Sequence, residues 1–562
     1  MKVYPKPVIY AIKLIFFILI SLPHALHAMP EQKLLHPDDW VYEAISILSR
    51  EQAEIFFTDS RITAAQLQNF LDRIDADSLS QSGLVLYNRL LEYLNSTYFL
   101  NFQSGYLTLS ADFILQPQLY FKTNKNVPWI YDEHSRSPIL TIPFGFSLGP
   151  WFTAEMDFYL GENEYAAAIH DNYSNIPLDG GHVDLHTPKR AYISAGIPFT
   201  EATGLHFALG LGNNFFGQTQ TGSIIVSEYL QRVSYAQLTV YSPFIKYSAE
   251  VTQYDVNKYQ YMHYFHIRPH RSFSISIAEG IMVNAPLELR FLNPFAIFHS
   301  FEAYKSYDSY NENFQYDPNY NETIYEETGC SRVGSYLGIK LEWQPVQYLR
   351  VYGLFVMTQF QIPYEKEHWM SRLTPDALGF QAGANLSIPA ASGYWDFGLE
   401  GVYTYPFLYV LHNLNWSFFK EVHEVDNMTL RYWTGTPFGP DTIAATFKAG
   451  FRSSSNWYAG FKFIFSAQGE RSGLDIFDWE NHSYRPIPEH YNLTVPPTGT
   501  PVYTYTVILN GEYNPKKWLS FGIQTGYRVL VNANRERSRI EHNFELSLSV
   551  KFKLDRSIWS NN

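Results

Sequence analysis

The stretch that decides the fold lies close to the C-terminus and reads Asn543-Phe-Glu-Leu-Ser-Leu-Ser-Val-Lys-Phe-Lys-Leu554. From Phe544 to Leu554 every second side chain is apolar, and polar or charged side chains fill the positions between them. Successive side chains of a β-strand point to opposite sides of the sheet. The stretch therefore predicts a strand that has one apolar face and one polar face.

The same alternation returns repeatedly between this strand and about residue 100 of the chain. It is clearest in five runs, which span residues 151–160, 245–252, 337–343, 380–388 and 445–452. Each run predicts a further strand with one apolar face. A soluble β-sandwich would alternate in the same way, so alternation alone does not separate a sandwich from a barrel.

The connections between the predicted strands favour a barrel. Four of them are tight turns, at 148–150, 391–393, 454–456 and 514–517, and the connections between these turns are longer and polar. Tryptophans accompany the turns: Trp151, Trp395, Trp457 and Trp518 at or just after them, and Trp343 just before Pro345. Barrels of the outer membrane have short periplasmic turns, long outer loops and a girdle of aromatic rings at the membrane surface.

We therefore predict a transmembrane antiparallel β-barrel over residues 99–555, located in the cell outer membrane, with a C-terminal tail at 556–562. An average hairpin of about 50 residues gives about 18 strands, and 16 or 20 would also fit. Such barrels typically end on a strand like 543–554, although here ten residues follow Phe552. We expect the outer-membrane barrel assembly machinery and outer-membrane lipid to be partners of this strand and of the apolar faces.

The first 98 residues follow different patterns. Residues 1–28 predict a cleaved signal peptide, because the apolar stretch between Lys13 and Pro23 is far shorter than the roughly 20 residues of a membrane anchor. Residues 29–98 predict a periplasmic segment of three short helices, the second opened by a capping box of Thr63 and Gln66 and the third by Ser80 or Ser82. So small a segment should pack against the periplasmic mouth of the barrel.

Composition excludes several other classes of protein. Aromatic and charged residues each make up 17% of the 562 residues, and the mean hydropathy of −0.21 is too polar for a bundle of transmembrane helices. The formal net charge of −13 argues against a nucleic-acid partner, and the single cysteine, Cys330, cannot form an intrachain disulfide. Because no hydrolase, phosphate-binding or dinucleotide-binding motif is present, we expect no enzymatic activity and no cofactor.

The most distinctive residues lie in segment 205–302. They are the glycine-rich stretch 205–217, Gly222-Ser-Ile-Ile-Val-Ser227, His266-Ile-Arg-Pro-His-Arg271, Ile275-Ser-Ile-Ala-Glu279 and Leu292-Asn-Pro-Phe295. Together with Asp39–Leu48, this order resembles the capsule-assembly Wzi family of outer-membrane barrels. The resemblance implies about 18 strands, a helical bundle at the periplasmic mouth, and a surface lectin that holds capsular polysaccharide.

A tyrosine- and asparagine-rich stretch at 303–327 has the composition of a glycan-binding loop. Aromatic faces stack on sugar rings, and carboxylates and amides bond to sugar hydroxyls. The candidate ligand-binding residues are Tyr304, Tyr307, Asp308, Tyr310, Asn311, Tyr316, Asp317 and Tyr320. A solvated outer loop without a ligand is the alternative interpretation.

Charged residues within the strand-rich region predict a second feature. Charges on barrel strands are tolerated on the lumenal face and are costly toward lipid. We therefore expect Arg271, Glu279 and Arg290 to form a lumenal charge network that lines or plugs the pore, or else to contact a ligand.

The histidines do not predict a metal site. His263 and His266 are three positions apart on a strand, so they face opposite sides and cannot share an ion without a bulge. The run Asp179, His182, Asp184 and His186 includes three residues with same-face spacing, which leaves a divalent cation there as an alternative.

Two hypotheses of function follow from these patterns. The first is a non-enzymatic surface barrel that binds or organises capsular or envelope polysaccharide. The second is an outer-membrane diffusion channel for small solutes.

Overall fold

A computed structural model of the chain defines the fold. It describes residues 29–36, 40–96, 98–163, 173–177, 183–184, 188–200, 202–298, 333–368, 375–410, 417–424, 428–470 and 495–554. The predicted signal peptide, the C-terminal tail and the tyrosine-rich stretch lie outside these ranges.

The three predicted N-terminal helices are present, as α1 (Trp40–Gln52), α2 (Ala64–Leu71) and α3 (Gln81–Leu94). The capping box of α2 forms as predicted, because the Thr63 side chain accepts from the Gln66 amide and the Gln66 side chain accepts from the Thr63 amide. Ser80 caps α3 by accepting from the Gly83 amide. A fourth helix, α4, spans Pro363–His368, and 3-10 turns occupy Ala76–Ser78, Leu289–Leu292 and Ala533–Arg535.

The rest of the described chain is dominated by antiparallel strands, which run in chain order. They are β1 (Leu100–Ser104), β2 (Leu107–Ala111), β3 (Ile114–Leu115), β4 (Gln118–Lys122), β5 (Leu140–Leu148), β6 (Phe152–Leu160), β7 (Ala191–Thr200), β8 (Thr203–Gly212), β9 (Val233–Tyr241), β10 (Ile245–Asp255), β11 (Lys258–His270), β12 (Phe273–Asn284), β13 (Val333–Val346), β14 (Leu349–Gln359), β15 (Ala377–Ala390), β16 (Gly393–Thr404), β17 (Phe419–Glu424), β18 (Met428–Trp433), β19 (Thr442–Ser453), β20 (Trp457–Gln468), β21 (Val502–Lys516), β22 (Leu519–Val531) and β23 (Ile540–Lys553).

The sheet closes on itself between the last strand and the first ones. β23 pairs with β3 and β4, while β2 and β3 pair with β5, so β2, β3 and β4 together form one interrupted strand between β23 and β5. From β5 to β16 and from β19 to β23 each strand pairs with the next, and β16 pairs with β19. The result is the predicted closed antiparallel barrel of 18 strands. Strands β17 and β18 form a separate hairpin in the connection between β16 and β19.

The two faces of the barrel match the sequence pattern. On β23, Phe544, Leu548 and Phe552 are about two-fifths exposed on the outside, whereas Asn543 and Glu545 are buried on the lumenal side. A lipid-facing surface must be apolar and a lumenal surface can be polar, so this division is the one that a membrane barrel requires. No helix in the described ranges is long and apolar enough to span a membrane.

The tryptophans mark one end of the barrel. Trp151, Trp343, Trp395 and Trp457 are 42 to 52% exposed and lie at the ends of strands joined by short turns. This end corresponds to the periplasmic side of an outer-membrane barrel, where turns are short. The opposite end carries the long connections, with one exception at the tight turn between Asp255 and Lys258.

Adjacent residues of β22 provide a direct test of these two faces. Ile523→Arg places a charge on the outward face, where Ile523 is half exposed, and we expect it to lower the free energy of unfolding by about 2–4 kcal/mol. The matched control Gln524→Arg places the same side chain toward the lumenal cavity and should cost less than half as much. Urea unfolding in lipid vesicles measures both, and equal costs would contradict the assignment of faces.

Candidate functional site

The helices of the N-terminal segment lie at the short-turn end, where the Ser82 hydroxyl of α3 donates to the Ala390 carbonyl at 2.7 Å, and the chain after α1 continues into the lumen. After α1 the chain reaches Ile55, whose amide donates to the Arg271 carbonyl at the short-turn end. From there the chain continues along the inner wall of the barrel to Asp59 and Arg61. Both of these charged side chains are buried. Burying an ion without a partner costs several kcal/mol, so each of them requires a partner on the wall.

Asp59 is held by three neighbouring strands. Lys340 of β13 forms an ion pair with Asp59, His266 Nδ1 of β11 lies 3.5 Å from Asp59 Oδ2, and the Ser276 hydroxyl of β12 donates to the same oxygen at 3.3 Å. Burial by itself would raise the pKa of the Asp59 carboxyl, but Lys340 and His266 outweigh burial and hold that pKa well below its usual range. Asp59 is therefore an anion inside the barrel.

Arg61 joins three parts of the molecule. Its guanidinium contacts Glu250 of β10 at 3.0 Å, donates to the Asn213 carbonyl at 2.7 Å and stacks over the Tyr235 ring. Glu250 also accepts from the Asn214 side chain. The N-terminal segment, the wall and the connection after β8 thus share one hydrogen-bonded cluster.

A second anchor fixes α1 to strands further along the same side of the wall. Arg50 is buried, lies 3.0 Å from Asp396 of β16 and donates to the Ser387 hydroxyl of β15 at 2.6 Å. Burial lowers the pKa of the Arg50 guanidinium, and the Asp396 charge opposes that effect. Nearer the short-turn end, Arg452 of β19 pairs with Glu43 of α1.

The connection 213–232 enters the lumen from the long-loop end. The Gln381 side chain of β15 accepts from the Ile224 amide at 3.0 Å and donates to the Gly222 carbonyl at 3.1 Å. Glu400 of β16 accepts from the Gln220 amide at 2.9 Å. The Gly217 amide donates to the Asp59 carbonyl at 3.0 Å, so the two inserted segments meet inside the barrel. We call residues 29–96 together with 213–232 the plug.

The plug leaves one side of the lumen open. A cavity of about 910 Å³ lies between the plug and the wall from β19 to β23. Its walls include polar and charged side chains, among them Lys462 of β20, Asn510 of β21 and Arg528 of β22. Segment 130–135, which follows β4, also contributes to its lining.

The structure corrects the predicted lumenal charge network. Arg271 is exposed in the turn between β11 and β12, and Arg290 pairs with Glu288 at 2.6 Å in a 3-10 turn outside the barrel. Glu279 belongs to the outward-facing positions of β12 and lies 3.6 Å from His263. Segment 285–298 packs beside this outward carboxyl, with Phe298 stacked on His263 at 4.2 Å. The three residues do not meet in the lumen.

Other predicted residues have mixed outcomes. His263 faces outward and His266 faces the lumen, as their spacing predicts. Of the residues considered for a divalent cation, Asp184 pairs with Arg232, whereas His182 and His186 lie outside the described residues. The candidate ligand-binding residues also lie outside the described residues; they are Tyr304, Tyr307, Asp308, Tyr310, Asn311, Tyr316, Asp317 and Tyr320. In the part of the chain that is described, no three potential metal ligands lie together.

Sequence reasoning missed the residues that do line the lumen. Glu250, Lys340 and Glu342 stood in the polar positions of runs correctly identified as strands, so alternation had already placed them opposite the apolar face. Asp59 and Arg61 follow α1 in a short segment without a periodic pattern. A charged pair just outside a predicted helix was the available signal, and it does not specify a partner some 200 residues away.

A closed 18-strand barrel with an apolar outer face, an indole girdle and a polar lumen defines an outer-membrane β-barrel. No family model matches the sequence, and no curated protein matches it. Among solved structures, the chain is similar to Wzi of Escherichia coli, a carbohydrate-binding outer-membrane barrel involved in group 1 capsule assembly. The TM-score is 0.56 at 11% identity, over 92% of this chain and 99% of Wzi.

A weaker similarity links the chain to OprD of Pseudomonas aeruginosa. The TM-score is 0.38 at 12% identity, over 79% of this chain and 94% of OprD. DcaP of Acinetobacter baumannii gives 0.34 at 7% identity, over 80% of this chain and 97% of DcaP. At these values only the Wzi comparison supports the fold in detail.

The plug contacts can be tested at Asp59. Asp59→Asn removes the anion between Lys340 and His266 and leaves Lys340 only its ion pair with Glu342, so we expect the free energy of unfolding to fall by about 1.5–3 kcal/mol, the range for a lost hydrogen bond to a charged group. Adding Lys340→Met should restore part of the loss, since Glu342 keeps its 2.8 Å contact with Arg350. The exposed control Asp72→Asn should change stability by about 0.5 kcal/mol or less.

The same variant predicts a pH dependence. Because the folded-state pKa of Asp59 is lowered, its carboxylate stabilises the plug above about pH 4 and loses that contribution as the pH falls toward the folded-state value. The stability difference between the wild type and Asp59→Asn should therefore shrink below about pH 4. A difference that stays constant from pH 7 to pH 3 would contradict the ion-pair assignment.

Proposed function

We propose that the chain is a non-enzymatic outer-membrane barrel that binds envelope or capsular polysaccharide at the cell surface. The observation that carries this proposal is the plug, which enters the lumen from both ends and is held there by buried ion pairs at Asp59, Arg61 and Arg50. The lumen of a porin is a water-filled channel, and inserted protein that occupies much of the lumen leaves less room for diffusion. A binding barrel gains a rigid frame for its outer connections.

Two further observations support a glycan as the ligand. The solved structure with a similar fold over most of this chain is described as a carbohydrate-binding barrel. The stretch 303–327, which connects β12 to β13 at the long-loop end, combines tyrosine rings with amides and carboxylates, the groups that stack on sugar rings and bond to their hydroxyls.

The second candidate function is a diffusion channel for small solutes. One observation favours it, the polar cavity of about 910 Å³ that the plug leaves along β19 to β23. The outward apolar faces would contact outer-membrane lipid in either case, and the alternating strand β23 is the kind of segment that the barrel assembly machinery would recognise.

Capture of polysaccharide tests the first candidate. The purified chain should retain envelope polysaccharide on a resin, and deletion of 303–327 should abolish the retention because the tyrosine rings are removed. Deletion of 471–494, a stretch of similar length in the connection between β20 and β21, serves as the matched control and should retain binding. Equal retention by both deletions would contradict the loop assignment.

Conductance in planar bilayers separates the two candidates. We expect little steady current from the wild type, and larger openings after removal of residues 29–95, because that deletion takes away Arg50, Asp59 and Arg61. Large stable steps in the wild type that do not change in the deletion would favour the channel.

A further inference from the structure

The plug is attached to only part of the barrel wall. Its ion pairs reach β6, β10, β13 and β16, through Glu155, Glu250, Lys340 and Asp396. Toward β20 to β23 the described contact between charged groups is Lys517 with Glu92, an exposed pair at the turn before β22. Because of this asymmetry, the cavity along β19 to β23 lies between the surface of the plug and the inner surface of the barrel wall.

The cavity is lined by more cations than carboxylates. The cations are Lys448, Arg452, Lys462, Arg528 and Lys551, and the carboxylates are Glu43, Asp132 and Glu512. Lys448 and Arg452 already face carboxylates, because Arg452 pairs with Glu43 and Lys448 lies 3.5 Å from Asp396. Lys462 and Arg528 line the same cavity, one on β20 and the other on β22.

Lys462 and Arg528 have neutral partners. Lys462 Nζ donates to the Gln220 carbonyl at 2.9 Å, and Arg528 Nη1 donates to the Pro128 carbonyl at 3.0 Å. Within the described residues, neither side chain has a carboxylate oxygen within 4 Å. A carbonyl satisfies a donor without neutralising its charge, and the carboxylates that act on these two groups, Asp132 among them, lie beyond 4 Å, so an anion can approach both cations.

The sheet register places these two cations on one lumenal face. Lys462 of β20 stands opposite Ile508 of β21, and Arg528 of β22 stands opposite Thr506 of the same strand. The two residues are thus separated by one intervening strand, β21, and are offset by two residues along the strands. At ordinary strand spacing and rise, this puts their Cα atoms about 12 Å apart. Two cations at that separation suit a ligand with more than one negative group.

The other lining groups suit a sugar. Amide side chains at Gln220, Asn510 and Gln524 can bond to hydroxyls, and the rings of Tyr229 and Tyr458 offer apolar faces. Asn510 and Lys551 are exposed toward the lumen, so solvent reaches this part of the wall. A cavity of about 910 Å³ lies within the range of small-ligand sites, roughly 300–1,000 Å³.

We propose that this lumenal cavity binds an acidic segment of a saccharide, with its carboxylates held by Lys462 and Arg528 and its hydroxyls by the neighbouring amides. The inference rests on the proposed glycan-binding function and adds to it both a site inside the barrel and the charge of the ligand.

Titration calorimetry on the full chain in detergent tests the site, with trigalacturonate as the acidic probe and maltotriose as the neutral one. The wild type should bind trigalacturonate at least about tenfold more tightly than maltotriose, and this preference should fall as salt rises. Lys462→Gln and Arg528→Gln should each weaken trigalacturonate binding about tenfold. Lys517→Gln, which removes an exposed cation outside the cavity, should leave it unchanged.

The result that overturns the site is unchanged trigalacturonate affinity in the Lys462→Gln, Arg528→Gln double variant, or equal affinity of the wild type for both trisaccharides. Polysaccharide capture by the same preparations separates the two proposals. If the double variant has unchanged trigalacturonate affinity but the wild type still captures polysaccharide, the cavity site fails and the proposed function stands. If trigalacturonate binding depends on both cations but no preparation captures polysaccharide, the cavity site stands and the proposed function fails.

Discussion

The buried contact of Asp59 with Lys340 and His266 is the interaction on which the interior of this barrel depends. A carboxylate inside a protein is tolerated only when nearby cations and donors compensate its lost hydration, and here the compensating groups come from β11, β12 and β13. The wall is equally dependent on the plug, since Lys340 is itself buried. Plug and wall therefore form one electrostatic unit.

That unit explains why the lumen is filled unevenly. Wall residues Glu250, Lys340 and Asp396 each hold a plug side chain, and each of them lies on a strand between β10 and β16. On β20 and β22, Lys462 and Arg528 donate to carbonyl oxygens, and within the described residues neither forms an ion pair with the plug. The plug therefore packs against the strands that compensate its charges, and the cavity lies on the other side, along β19 to β23.

Contact with lipid constrains the outer face of the barrel, and the outer face was easier to predict from the sequence than the lumen. Lipid accepts apolar side chains and rejects charges, so the alternation in 543–554 and in the five upstream runs defined the strands and their faces, and the turn lengths and tryptophans added the barrel class. The tryptophan positions likewise defined which strand ends carry the short turns. Helices α1 to α3 were predictable because capping and periodicity are local signals.

The lumenal contacts were not predictable in the same way. Charges on strands were expected in the lumen, at Arg271, Glu279 and Arg290. Arg271 instead lies in a turn, the side chain of Glu279 faces outward from β12, and Arg290 lies outside the barrel. The outward Glu279 lies beside His263, on which Phe298 of segment 285–298 stacks, and no periodicity reveals such a tertiary contact. Asp59 and Lys340 are 281 residues apart, and their pairing follows from how a non-periodic segment threads the barrel.

The motifs that carry the resemblance to the Wzi family acquire a physical meaning from this arrangement. Residues 222–227 lie in the inserted connection, with Ile224 bonded to the wall at Gln381, and His266 contacts Asp59. These motifs therefore describe how a plug is held in a barrel, which is an architectural requirement. In the function proposed above, recognition of a ligand falls to other positions, namely the outer connections and the cations along β20 and β22.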